Sequence, residues 1–279
     1  MGGVRIVTDS ACDLTPELAA SLDITVVPLN IRFGTEELVD RRDLTPEDFW
    51  RRCATSPVLP ETSAPSPGSF QVAFEDVAAR GGEGVLCITL SSKLSATYQS
   101  ALAGAETTTS IPVRVIDSES VSVGQGLLAL AAAEAAQDGA SLDDLVQLVT
   151  SRISRTRVLA VVDTLDHLQK GGRIGGAAAL LGSLLSIKPV IQVRDGVVAE
   201  ESKQRTRSRS LDYLATTVRA DGPFERLAVA SAEAKDLDTF LAKLRDIPVA
   251  HEMVVVDLGP VVGTHAGPGT IGVAYITAS

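Results

Sequence analysis

What this sequence has little of narrows it first. Aromatic side chains make up 4% of its 279 residues, and it has three histidines and three cysteines. Cys12, Cys53 and Cys87 are odd in number and none stands in a CxxC pair, so a disulfide-stapled fold is not expected. No basic, apolar, small-residue leader precedes the first periodic segment, which together with the cysteine usage points to a reducing, cytoplasmic compartment. Positive charge is in deficit: 25 Lys and Arg stand against 35 Asp and Glu, a formal net charge of −10. A general electrostatic grip on nucleic acid or anionic membrane needs the opposite balance. Long apolar runs are missing as well. The greasiest stretches, "LLALAAAEAA" and "ALLGSLLSI", are broken by Glu134 or end at Lys188-Pro189. Both fall short of the roughly 20 residues a spanning helix requires, so stable membrane insertion is not expected. Walker and GxGxxG layouts, paired metal carboxylates and a kinase signature are also lacking, so neither a metal nor a cofactor is expected.

What is present is a chain long enough, at 45% hydrophobic, for two ordinary domains with their own apolar interiors. Short β-branched runs ("VRIVTDS", "ITVVPLNIRF", "GVLCITL", "VRVIDS", "RVLAVVD", "RLAVASA", "HEMVVVDLG", "TIGVAYI") alternate with alanine-rich helical patterns, which means α/β. "TPEDFWRRCA" starts a helix with Thr45 as N-cap and Pro46 at the first helical position, and "SLDDLVQLVTSRI" starts another from Ser141. "QVRDGVVAEE" reads as a hairpin turning at Asp195-Gly196, which parallel units alone do not supply. The second half is therefore expected to be mixed α+β. The basic connector "TSRISRTRV" places a boundary near residue 155, giving domains over 1–155 and 156–279.

Polar residues at strand ends carry the functional reading, because in an open α/β sheet the chain leaving a strand reaches the crevice where ligands bind. Thr8-Asp9-Ser10 follow one strand. "SSKLSATYQSA" follows another, with Ser95 placed as the N-cap of the next helix, where exposed amides suit a carboxylate or phosphate. Asp117-Ser118 leave a third strand before Gly124 and Gly126. In "PETSAPSPGSF", Thr62, Ser63 and Ser66 are placed to cap the helix starting near Pro67, or Thr62 turns its hydroxyl to an anion. Ordinary capping remains the alternative for Ser95 and for the Thr62 loop, and a turn with close helix packing for Asp117-Ser118.

Taken in order, "TDS", "TSAPSPGSF", "LSSKLSATYQSA", "VIDSESVSVGQG", "LDHLQKGGRIG", "LLSIKPVI…DG" and "GTHAGPGTIG" resemble the DegV family of bacterial fatty-acid-binding proteins across the whole chain. The resemblance implies two α/β lobes with an acyl chain in a tunnel between them: a largely parallel N-terminal sheet and a mixed C-terminal one. It implies a non-catalytic carrier of a long-chain fatty acid such as palmitate or oleate. As in the family's FakB components, the acid's carboxylate would be presented to a separate fatty acid kinase, whose ATP-dependent product, an acyl phosphate, feeds phospholipid synthesis. The family's carboxylate contacts fall on Thr62, Ser95 and His265, and a secondary set of pocket positions on Asp9, Ser10, Ser63, Ala96 and Ser118. Arg205, with Arg173 as a second candidate, matches an arginine associated with engaging the kinase.

The sequence departs from the family pattern in three places. Ala64 stands where glutamine is common, Ala96 where glycine usually follows the serine, and Ser231-Ala232-Glu233 where a His-Ala pair is frequent. Two other readings remain open at this point. Ser95 activated by His265 would make an acyl hydrolase or transferase, although no GxSxG elbow surrounds Ser95. His265 could instead hold a small carbonyl compound, as in dihydroxyacetone kinases of related architecture.

Overall fold

The computed structural model describes residues 3–278, residues 182–186 by their backbone alone. The first half runs β1 (Val4–Asp9), α1 (Pro16–Ser21), β2 (Thr25–Val27), β3 (Asn30–Phe33), β4 (Glu36–Val39), α2 (Pro46–Thr55), β5 (Glu61–Ser63), α3 (Pro67–Ala79), β6 (Gly84–Thr89), α4 (Thr97–Thr107), β7 (Val113–Asp117), α5 (Val123–Gln137) and α6 (Leu142–Ile153). The second half runs β8 (Thr156–Val161), α7 (Asp166–Lys170), β9 (Lys188–Arg194), β10 (Val197–Gln204), α8 (Arg207–Asp221), β11 (Phe224–Ser231), α9 (Leu237–Leu244), β12 (Val254–Asp257), α10 (Pro260–Ala266) and β13 (Ile271–Thr277). Between α7 and β9 the chain follows 3-10 turns over Gly175–Ser186.

The first half forms a parallel sheet in the order β2-β1-β6-β7 and a small antiparallel sheet, β4-β3-β5. All of β6 is buried, which is why it reads as an unbroken apolar run rather than an alternating one. The second half forms a mixed sheet, β10-β9-β8-β13-β11-β12, in which only β11 and β12 pair in parallel. A parallel sheet in the first half and a mixed one in the second are the α/β arrangement expected; the small β4-β3-β5 sheet is an addition to it.

Local chemistry sets several element ends. Thr45 accepts the Asp48 amide with Pro46 at the first helical position, and Ser141 forms a reciprocal capping box with Asp144. Asp195 and Gly196 have φ of 50° and 77°, as a two-residue hairpin turn of matching twist demands. Two expectations need correction. "ITVVPLNIRF" is not one strand: Pro28 has no N–H and a fixed φ, so pairing stops there, and β2 and β3 belong to different sheets. Ser95 is not the cap of α4. Ala96 holds that position, with Ser95 one residue outside it.

Helix α5 binds the two halves together. Its alanine-rich middle is buried all round, between the parallel sheet and the mixed one. Small side chains let both sheets approach: a Cβ at Gly124 would come within 2.4 Å of the Val158 side chain. One apolar core consequently runs from β1 and β6 through α5 to Val158, Ala228 and Ala274. The β9–β10 turn also rests on the first half, with Ser91 Oγ donating to the Gly196 carbonyl at 2.7 Å and Lys93 Nζ to that of Asp195 at 2.7 Å.

Candidate functional site

Helix α10 carries His265 in its last turn, yet most of what holds it comes from the first half of the chain. Gly259, at its N-cap, donates its N–H to the Asp13 carboxylate at 3.0 Å, and Trp50 Nε1 donates to the Leu258 carbonyl at 3.3 Å. Asp13 also accepts the Ser122 hydroxyl proton. Burial pushes the Asp13 carboxyl up to about 7, against the opposing effects of these two bonds and of Arg41. Gly263 lies so close to the Trp50 ring that a Cβ there would approach it to 2.7 Å.

These restraints bring His265 to Thr62 on β5, with Nε2 and Oγ1 2.9 Å apart. The other ring nitrogen, Nδ1, is buried without a hydrogen-bond partner and faces the backbone of Gly171, where a Cβ would stand 2.3 Å away. Burial, then the Arg173 guanidinium and the neighbouring His167 ring, push the imidazole down to about 4. The ring is therefore neutral at pH 7. A bare nitrogen at the unpartnered position costs less than a buried, unsatisfied N–H, so the tautomer with its proton on Nε2 is favoured. His265 then donates to Thr62, and the Thr62 hydroxyl keeps its own proton to give to a ligand.

Beyond His265 lies an apolar cavity of about 100 Å³ between the two halves. Val121 and Val123 wall it on one side, Val158, Ala160 and Ile191 of the mixed sheet on the other, and Val262 of α10 at the edge. On the near side of His265 a polar mouth of about 470 Å³ opens, bordered by Thr62, His167, Lys170 and the Pro57–Pro60 loop. Val58 and Leu59 on that rim are 50% and 39% exposed. His265 and Arg173 line both spaces and so form the throat between them. The Arg173 guanidinium donates to the carbonyls of Leu94 at 3.0 Å and Gly171 at 2.7 Å, and among the described residues no carboxylate pairs with it. His167 faces the Thr264 carbonyl at 3.2 Å, tying α7 to α10.

The residues singled out in the sequence divide into groups. Thr62 and His265 meet, and Arg173 stands with them at the throat rather than beside Arg205. Ser95 is half-buried next to Leu94, with its hydroxyl 2.9 Å from that of Thr97. Asp9, Ser10 and Ser118 are buried at the carboxyl edge of the parallel sheet and spend their side chains on the protein itself. Asp9 accepts from Ala11, Leu90 and Gln125, Ser10 from the Leu29 amide, and Ser118 bonds within its turn. Burial raises the Asp9 carboxyl to about 6, with these bonds opposing it. Ser63 and Ala96 are exposed, and Ser66 caps α3. Arg205 is exposed between β10 and α8, whereas neighbouring Arg207 pairs with Asp163 and Asp236. Sequence reasoning missed Asp13, His167, Lys170 and Gly171. "HLQKGG" did hold a signal, since His167 and Lys170 are three residues apart on one helical face.

A family model described as "Uncharacterised protein, DegV family" matches residues 3–278. A DegV domain-containing protein of Streptomyces coelicolor is 36% identical over 275 residues, 97% of this chain and 97% of its own. One from Listeria monocytogenes is 36% identical over 281 residues, 99% of this chain and 100% of its own. Among solved structures, a fatty-acid-binding DegV family protein from Thermus thermophilus superposes with a TM-score of 0.91 at 30% identity, covering 99% of this chain and 100% of that one. Bacillus subtilis DegV, called a fatty acid binding protein, superposes at 0.89 with 30% identity, covering 99% of each chain. A stearic acid-binding protein from Eubacterium ventriosum does so at 0.87 with 29% identity, covering 98% of each. Matches of this extent in both sequence and fold establish that the chain belongs to the DegV family.

Proposed function

We propose that this protein binds one long-chain fatty acid, with the acyl tail in the cavity between its halves and the carboxylate at the throat, and presents that carboxylate to a separate fatty acid kinase. The observation that carries the reading is the abrupt change at His265 from an aliphatic cavity to a polar, cationic mouth. An amphiphile with one anionic end matches that division. Burying the tail contributes about 0.8 kcal/mol per methylene, on the order of 10 kcal/mol for a palmitate-length chain before ordering costs. A cavity of about 100 Å³ takes only part of such a chain, so binding requires its side-chain walls to move apart. The carboxylate would accept the proton of Thr62, held in place by His265, and sit within the field of Arg173, with Ser95 as a further donor. Such charge-assisted bonds offset the cost of taking the carboxylate out of water. DegV proteins of known structure described as binding fatty acids support the assignment. The polar mouth leaves the head group reachable from outside, as phosphoryl transfer by a partner requires, and exposed Arg205 is the residue assigned to docking that partner.

The hydrolase reading gains no observation of its own. Ser95 is bonded to Thr97 and His265 to Thr62, so the nucleophile and base it needs are each engaged elsewhere. An imidazole held near 4 is also a weak base at pH 7.

The test is native mass spectrometry of the purified chain, with identification of the extracted ligand and titration with palmitate and oleate. One acid per chain is expected, with occupancy reduced at least tenfold in Thr62→Val and His265→Ala. A chain that neither carries nor takes up acids refutes the reading. Incubating the loaded protein with ATP and a fatty acid kinase should yield acyl phosphate, and Arg205→Glu should lower that rate without lowering acid occupancy.

A further inference from the structure

The cavity also has a far end, reached along the mixed sheet. Along the mixed sheet, Ile271 pairs with Val161, Ala274 with Val158, and Val158 with Val193. From Thr270 near His265 to the level of Val158 and Val193 is therefore four strand residues, about 13 Å. Side chains alternate across a strand. Val158 and Val193 face the core shared with the first half, whereas Leu159 and Val190 face the opposite side, and Gln192 turns that way to donate to the Glu200 carbonyl at 3.3 Å. Ile191, Gln192 and Val193 of β9 all border the cavity, with Val193 the farthest along the strand from His265.

Behind Val193 lies a second pocket, of about 360 Å³, bordered by Glu119, Ile153, Arg157 and Arg194. Gln192 and Val193 belong to the walls of both spaces, and of the two it is Val193 whose side chain alternation turns into the acyl cavity. Its exposure agrees with that position: Val158 and Ile191 are 9% and 7% exposed, while Val193 is only half-buried. The two methyl groups on the Val193 Cβ stand at the border between an apolar cavity and a more polar pocket. The partly buried Ile153 and the aliphatic stems of Arg157 and Arg194 offer cover to a few carbons that pass it.

We propose that Val193 closes the far end of the acyl cavity and sets the upper length of the chain it holds, the pocket behind it receiving chain ends that get past. This rests on the fatty-acid reading of the cavity. The test is displacement of a bound fluorescent fatty acid by saturated acids of increasing even length, from myristate to arachidate, in the full wild-type chain, in Val193→Ala and in Val193→Phe. In the wild type, affinity should rise with length and then level off. In Val193→Ala it should keep rising past that point by about fourfold for each further methylene that finds cover. In Val193→Phe the plateau should come at a shorter acid. If Phe does not fold at this position, the alanine variant decides the question by itself, since it only removes two methyl groups. Acids binding with the same length profile in wild type and Val193→Ala would overturn the proposal while leaving the fatty-acid reading intact. A wild-type chain that binds no acid of any length would remove the reading itself.

Discussion

At the scale of single residues, the protonation of His265 is the feature most open to experiment. Its pKa falls from 6.5 free to about 4 folded, chiefly through burial. Between those values the unfolded chain binds a proton that the folded one refuses. The stability this histidine allows is therefore complete above pH 6.5 and declines as the pH falls towards 4. Asp9 and Asp13, raised to about 6 and about 7, act in the opposite direction, since their neutral forms favour the folded state and that contribution is lost as the pH rises through those values. The wild-type pH profile mixes these slopes, so the histidine is best read as a difference. Relative to His265→Gln, the wild type should lose on the order of 3 kcal/mol between pH 7 and pH 4. Urea titrations of both proteins across that range measure it, and parallel profiles would mean the imidazole titrates normally.

At the scale of elements, α10 matters more than its seven residues suggest. Asp13 fixes its start, Trp50 and Phe49 press against its middle, and Thr62 meets its end. Gly263 is the point of closest approach. Adding one methyl group there in Gly263→Ala would drive into the rings of Trp50 and Phe49, at 2.7 and 3.0 Å. Overpacking of this kind costs about 1–3 kcal/mol and moves backbone, so the variant should melt several degrees lower and separate His265 from Thr62. Acid affinity should fall along with stability, by at least tenfold if the pair is broken. An unchanged melting temperature and affinity would show that the helix has room to shift. The sequence made the ends of this design legible and hid its middle. His265 and Thr62 stood out through motif resemblance, and capped helices such as α2 and α6 through side chains that act on their own backbone. The role of Asp13 was invisible because its partner, Gly259, is 246 residues away, and nothing local in "ACDLTP" distinguishes a carboxylate that holds a distant helix. β5 was missed for a similar reason. Three residues beside a proline have no periodicity of their own, and they are a strand only because β3 pairs with them.

At the scale of the whole molecule, the sequence suggests two domains, and the sheets do divide at β8: every strand of the mixed sheet follows residue 155. The packing does not divide there. Helix α5 comes from the first half, but its small side chains lie against β8, β11 and β13 as well as β1 and β6. Parting residues 156–279 from the first half would expose one whole side of that helix and the apolar faces of Ala228, Ala230 and Ala274 that cover it. At about 25 cal/mol per Å², a few hundred Å² of apolar surface shared in this way is comparable to the net stability of a domain. Two lobes that share their core in this way should melt as one. Differential scanning calorimetry of the ligand-free protein is expected to give a single transition whose van't Hoff and calorimetric enthalpies agree. The isolated 156–279 fragment should lack a cooperative transition. Two resolved transitions, or a fragment that melts cooperatively alone, would mean that the lobes are held by their own cores and that α5 is only a contact between them. The distinction bears on how a ligand enters: lobes that unfold together cannot open by one of them melting, so access to the cavity must come from movement of the side chains and loops around it.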